Sequence, residues 1–234
     1  MPKPKLPFKN FEWTPQLAYA VGLLVTDGCL SKDGRHIIMR SAEPALLETF
    51  KECLNLKNKT GYTDGQRGYR VQFGNVQFYN WLISIGLFPA KTHIIGGIKI
   101  PDEFFRDFLR GHLDGDGSIC GYEDRYNVYR DRIYTNQRIF VRYISVSEKH
   151  IRWLHNKIQQ LAGVKGALIF TKSRRINTVP MWTIKFAKKE SLKLLDWIYY
   201  QPNLPTLLRK RLLAERLTRR IKNEVRKPYA FVVK

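Results

Sequence analysis

Two segments of this 234-residue chain repeat one another at an offset of 89 residues, and the duplication limits the fold more than any other feature. The first, AVGLLVTDGCL, runs from Ala20 to Leu30; the second, FLRGHLDGDGSI, runs from Phe108 to Ile119. Gly22 corresponds to Gly111, Thr26 to Gly115, Asp27 to Asp116 and Gly28 to Gly117. Small residues four apart share one face of a helix and leave it bare enough for a second backbone to come close. Each helix then stops at a glycine. Its last turn carries a carboxylate, although the helix dipole favours a cation there.

The segments downstream of the two copies repeat as well. After Gly28 the pattern predicts a hairpin with its turn at Lys32–Gly34 and a strand from Arg35 to Ser41. A helix over Pro44–Leu54, a second hairpin over Lys59–Phe73 and a helix from Val76 ending at Gly86 complete the first unit. The second unit has a return strand over Arg138–Val146 and a helix over Glu148–Ala162. Strands at Ala167–Lys172 and Met181–Phe186 come next, then a helix over Lys189–Tyr199. The first helix takes Thr14 as its cap and Pro15 as its first residue; residues 1–13 read as an extended arm. The fold class is α+β, with two tandem αββαββα halves at residues 1–100 and 101–234. The second half has two additions, a Tyr/Arg-rich stretch at 121–137, too long for a tight turn, and a basic helix over 206–226.

Two such helices packed through Gly22/Thr26 and Gly111/Gly115 would bring Asp27 and Asp116 to one end of the interface. Carboxylates that close repel, and divalent cations relieve the repulsion. Mg2+ accepts few protein ligands when phosphate oxygens and waters fill its shell, and there it can activate water for phosphodiester hydrolysis. Composition points to the same substrate. A formal charge of +21 exceeds what solubility requires and implies a polyanion, nucleic acid above all. The basic residues are spread over the chain, which disfavours a membrane surface. Cys29, Cys53 and Cys120 lack the spacing of a zinc site and read as small core residues. No apolar run is long enough to span a membrane and the amino terminus has no targeting character. A soluble intracellular protein is expected, in the cytoplasm or nucleoid or encoded in an organelle.

The sequences AVGLLVTDG and LRGHLDGDG resemble the two motifs of a single-chain LAGLIDADG homing endonuclease, and the stretch GLFPAKTHIIGGIKIPDEFFRDFLRGHLDGDGSI resembles that family's passage between halves. The resemblance implies a pseudo-twofold saddle of two antiparallel four-stranded sheets on the DNA major groove, with the motif helices at its centre. It implies a monomer that makes Mg2+-dependent double-strand breaks at a long asymmetric site, as an intron-encoded enzyme would. Mn2+ is expected to substitute, and Ca2+ to bind without supporting efficient cleavage. The penultimate acids of the motifs fall on Asp27 and Asp116, the implied metal ligands and catalytic acids. The earlier acid is Asp114 in the second motif but Val25 in the first, which confines Asp114 to a capping or structural role. The resemblance also implies basic or polar residues around the nucleophilic water and scissile phosphates; Lys91 and Lys210, after the last helix of each half, are the candidate catalytic lysines, with Arg40, Ser41 and Ser147 behind them.

The sheets supply candidate DNA contacts. Arg70 and Gln72 alternate with Tyr69, Val71 and Phe73, and Thr183 and Lys185 with Trp182, Ile184 and Phe186, giving one apolar and one polar face. Arg138 and Arg142 share the polar side of their strand with Phe140 and Ile144. With Arg40, these are the expected DNA-binding residues; arginine and glutamine read guanine and adenine edges bidentately. Two other readings stay open: an RNA maturase that binds intron RNA outside the saddle, and a DNA-binding regulator of the same fold that does not cut.

Overall fold

The computed structural model describes residues 11–63, 68–129, 132–172 and 179–224. Helix α1 (Pro15–Thr26) starts where Thr14 Oγ1 accepts the Leu17 amide at 3.1 Å and Pro15 sets the first turn. Next come β1 (Gly28–Leu30), β2 (His36–Ser41), α2 (Pro44–Cys53), β3 (Gly61–Thr63), β4 (Gly68–Gly74) and α3 (Val76–Ser84). Asn75 caps α3 by accepting the Phe78 amide at 2.8 Å, and Gly86, at φ +103°, turns the chain out of it. Two 3-10 turns (Lys91–His93 and Asp102–Phe104) lead into α4 (Phe105–Gly115). The second half continues with β5 (Ser118–Tyr129), β6 (Arg132–Ser145), α5 (Glu148–Ala162), β7 (Ala167–Thr171), β8 (Met181–Phe186), α6 (Lys188–Ile198) and α7 (Leu208–Glu224).

The strands form two four-stranded antiparallel sheets of like topology, β1-β2-β4-β3 and β5-β6-β8-β7. Period-two alternation decides which face each residue takes. In the first sheet Ile37 pairs with Phe73 and Met39 with Val71, all buried; in the second, Val141 pairs with Phe186 and Tyr143 with Ile184, also buried. The helices cover these faces and leave Arg40, Arg70 and Gln72 exposed on the other side. Helix α1 is buried at every position from Leu17 to Val25, because it lies between α4 and the first sheet's helices rather than at a surface.

Two local readings need correction. The Tyr/Arg-rich stretch 121–137 does not separate the two strands of its hairpin but belongs to them. It lengthens the β5–β6 hairpin, with Glu123 opposite Gln137 and Asp124 opposite Asn136, and only residues 130 and 131 fall outside the described ones. Cross-strand polar pairs tie its base together: Gln137 donates to Glu123 at 2.9 Å and Arg138 to Asp124 at 2.9 Å. The register shifts between Asp124 and Asn127. The second correction concerns Cys29, which is exposed on β1, whereas Cys53 is buried and Cys120 half-buried. The arm at residues 1–10 and residues 225 and 226 of the basic helix lie outside the described residues.

Candidate active site

Helices α1 and α4 meet backbone to backbone. A methyl group added at Gly22 would lie 2.2 Å from the Phe108 carbonyl oxygen, and one at Gly111 only 2.1 Å from that of Tyr19. One turn further on, a methyl at Gly115 would fall 2.0 Å from Thr26 Oγ1 and 2.7 Å from Asp27 Oδ2. The first helix thus lays its last hydroxyl and its carboxylate across the bare end of the second. The Thr26 hydroxyl bonds back to Leu23 O at 2.9 Å and lies 3.3 Å from Asp27 Oδ2.

Asp27 and Asp116 occupy the C-caps of α1 and α4. Each carboxylate therefore sits at the negative end of its helix. Burial pushes the Asp27 carboxyl up from 3.8 to about 6, and the Asp116 charge adds to the rise; Thr26, Lys210 and Lys91 oppose it. The Asp116 side chain is more open, yet the protein around it excludes enough water to raise its carboxyl too, against the pull of Lys91 and Lys210.

Two lysines balance the charge at the helix ends. Lys210, only 6% exposed, donates from Nζ to the carbonyls of Leu113 at 2.6 Å, Asp114 at 2.8 Å and Gly117 at 2.8 Å, with Gly115 O at 3.2 Å. Lys91, 8% exposed, donates to Gly28 O at 2.5 Å. Gly28 and Gly117 are equivalent positions of the repeat, so each lysine binds the carbonyl just past its half's motif aspartate. These are the cations that the helix dipoles call for. An ammonium has three protons, and four carbonyls surround that of Lys210. Burial lowers both lysines from their ordinary range and the neighbouring carboxylates hold them up.

Asp114 is buried away from the carboxylate pair. Its Oδ2 accepts from Tyr19 Oη at 2.8 Å, the Leu207 amide at 2.7 Å and Thr206 Oγ1 at 3.2 Å, so it fixes the chain entering α7. Arg110, a motif residue that neither spacing nor periodicity singles out, is also wholly buried. It donates to Pro205 O at 2.8 Å, Ile198 O at 3.0 Å and Asp107 Oδ1 at 2.7 Å. Ser147 caps α5 and bonds Ile95 O at 2.5 Å, a structural post far from free. A cavity of about 140 Å3 opens beside Asp116 and Lys91 and is backed by His112 and His150. Those histidines are 38 residues apart and bond Nε2 to Nε2 at 3.1 Å; His150 Nδ1 donates to Gly96 O at 2.7 Å. Burial keeps both neutral, His150 down to about 4.

On the exposed sheet faces, cations stand directly opposite cations: Arg40 against Arg70, and Arg142 against Lys185. Like charges in that position destabilise a sheet. Arg138 differs, since its Nε and Nη2 both bind Asp124 Oδ2, at 3.2 and 2.9 Å. Gln72 is exposed, and Thr183 is half-buried opposite Ile144.

No family model and no curated protein sequence matches the chain. Its structure is similar to that of the I-LtrWI LAGLIDADG homing endonuclease bound to target DNA, at TM-score 0.63 and 12% identity over 91% of each chain. The chain has the LAGLIDADG fold. I-DmoI in complex with DNA and Ca shares it at TM-score 0.54 and 12% identity, over 86% of this chain and 97% of that one. Full-length DUF199/WhiA from Thermatoga maritima shares it at TM-score 0.54 and 16% identity, over 94% of this chain and 64% of that one. The LAGLIDADG fold is thus carried by proteins named as endonucleases and by one that is not. Among the described residues, no group of three or more His, Cys, Asp or Glu could hold a metal ion, and no helix is long and apolar enough to cross a membrane.

Asp27 gives the metal-free protein a pH dependence that can be measured. A carboxyl raised to about 6 in the folded chain binds its proton more tightly than the unfolded chain does. Its contribution to stability is therefore present at low pH and lost as pH rises through 6. Asp27→Asn is expected to stabilise the metal-free protein at pH 7.5 by about 1 to 2 kcal/mol, allowing for its partly wet surroundings. That advantage should shrink to about a third by pH 4.5 and vanish only below the unfolded carboxyl's value of 3.8. Thermal melts of both proteins at the two pH values measure it, and the histidines, common to both, cancel. An Asn variant no more stable than wild type at pH 7.5 would contradict the assigned environment.

Proposed function

We propose that this protein is a site-specific DNA endonuclease that hydrolyses one phosphodiester bond in each strand of a long asymmetric target, as a homing endonuclease does. The observation that carries the reading is the pairing of Asp27 with Asp116 at adjoining helix ends, against their own dipoles and each other's charge. A regulator that only bound DNA would gain nothing from that arrangement. The donor set is hard oxygen and short of a full shell, which fits Mg2+ completed by phosphate oxygens and water. Asp27 and Asp116 would hold the ions, which supply an acidified water and stabilisation of the leaving oxygen.

The other groups have roles that need no metal. Lys91 and Lys210 lock the helix ends and supply positive charge behind the carboxylates, keeping them ionised near neutral pH. The cavity beside Asp116 gives water a place next to the reacting phosphate. Arg40, Arg70, Arg142 and Lys185 exchange cross-strand repulsion for contacts to a polyanion, and Gln72 and Thr183 offer hydrogen bonds to base edges. One chain supplies both halves, so a monomer suffices.

Helix α7 favours an additional RNA-binding activity, such as a maturase needs. Arg216, Arg219, Arg220 and Lys222 are exposed on it. Its Leu217 packs at Gly121, on the sheet face that also buries Ile119, so these cations point away from the exposed sheet face.

Selection from a randomised duplex library with Mg2+, and then sequencing of cut ends, tests the main reading. Double-strand ends at a single recurrent site are the expected outcome. A tightly bound duplex that stays intact with Mg2+ and with Mn2+ would replace it by the regulator reading.

A further inference from the structure

The exposed faces of the two sheets differ in chemistry. On the first, among the described residues, His36, Arg40, Arg70 and Gln72 surround one aliphatic side chain, Ile38, with the small thiol of Cys29 opposite it. On the second, Tyr122, Phe140, Ile144 and Ile169 stand among the cations. Tyr122 is 56% exposed and its ring stacks on that of Phe140 at 6.0 Å; Ile169, 41% exposed, continues across Thr183 to Ile144 over three strands. The cations share the same ground: Lys185 Nζ lies 4.2 Å from the Phe140 ring centre and the Arg142 guanidinium 5.9 Å from it. Apolar side chains gathered on an open face mark a contact surface. Cations set between them call for a partner that presents apolar groups inside a field of negative charge.

The DNA major groove has one such group, the C5 methyl of thymine, which apolar side chains contact. We infer that the second sheet selects thymines in its half of the target by burying their methyl groups against Tyr122, Phe140, Ile144 and Ile169, while the first sheet selects purine edges through Arg40, Arg70 and Gln72. The inference rests on the endonuclease reading and adds to it a chemical division of labour between the halves. The two half-sites therefore obey different rules. The first tolerates any change that preserves acceptors on the purine edge, and the second discriminates on a single carbon atom.

The probe is deoxyuridine, which pairs as thymine does and lacks only the methyl. The duplex recovered from the library selection is rebuilt with deoxyuridine for every thymine in one half or in the other, and its dissociation constant is measured in Ca2+ at fixed salt. In one half, affinity is expected to fall about fourfold for each methyl buried; in the other, by less than twofold. A Tyr122→Ala/Phe140→Ala variant, altered only on the open face and verified by its melting curve, should lose the part of that penalty that comes from methyls against those two rings and keep the part due to Ile144 and Ile169. Equal responses from the two halves, no response from either, or a penalty undiminished in the double variant would each overturn the inference and leave the endonuclease reading intact. Failure to bind any duplex above the non-specific level would overturn both.

Discussion

Asp27→Asn or Asp116→Asn is expected to slow cleavage of the selected target by about a thousandfold or more, while its dissociation constant in Ca2+ changes less than about fivefold. Asparagine keeps the shape of the side chain and one oxygen, so the helix ends and the Thr26 contact should persist. What it removes is the negative charge that draws a divalent cation to the crossing. The surfaces proposed to grip DNA lie on the sheets, apart from this point, and the affinity they supply should survive. Single-turnover cleavage and equilibrium binding, measured on the same preparations, separate the two quantities. Either variant cutting at the wild-type rate would remove the carboxylate pair from the mechanism; a parallel collapse of binding would make it structural.

The second large effect concerns the bare faces beneath those carboxylates. At Gly111 an added methyl meets the carbonyl oxygen of Tyr19, and at Gly22 that of Phe108, at 2.1 and 2.2 Å. Both obstacles are backbone, which cannot swing aside, so the helices must part. Gly111→Ala or Gly22→Ala is expected to cost about 3 kcal/mol or more even though alanine favours a helix by about 1 kcal/mol. For a chain of this size that lowers the melting temperature by roughly 6 to 12 °C. Gly61→Ala serves as the comparison: a methyl there meets nothing within 4 Å, and the change should be nearly neutral. If all three variants melt alike, the close helix contact is not what holds the halves together. Where the Gly111 variant still folds, its cleavage should fall further than its stability predicts, because parted helices also part Asp27 from Asp116.

The architecture could be read from the chain because its signals are local and occur twice. Thr14 and Pro15 announce a helix start within a few residues of themselves. Val71 and Phe73, or Ile184 and Phe186, assign a strand's buried face by alternation. The lengthened β5–β6 hairpin escaped because pairs such as Arg138 with Asp124 and Gln137 with Glu123 join residues fourteen apart, a partnership that no local pattern announces. The site was legible in part. Asp27 and Asp116 stood out because a carboxylate at a helix end is electrostatically unexpected. The posture of Lys210 was hidden, since the carbonyls it binds lie more than ninety residues earlier in the chain. Arg110 and the His112–His150 contact were hidden for the same reason. A buried ion is identified by partners that only the fold brings near, and a lysine bound for carbonyls looks in sequence like any other.

That long reach sets an order of assembly. The carbonyls at the end of α4 have no cation until Lys210 arrives, and Asp114 waits on the Leu207 amide from the same segment. A ribosome adding about 5 to 20 residues per second has both motif aspartates outside well before it has made α7. During that interval the second carboxylate has Lys91 but not Lys210 as a counter-charge, and the helix beneath it is unlatched. Helix α7 therefore acts as a late latch: the first half can take shape during synthesis, but the end of α4 reaches its full set of partners only when Leu207 and Lys210 dock on it.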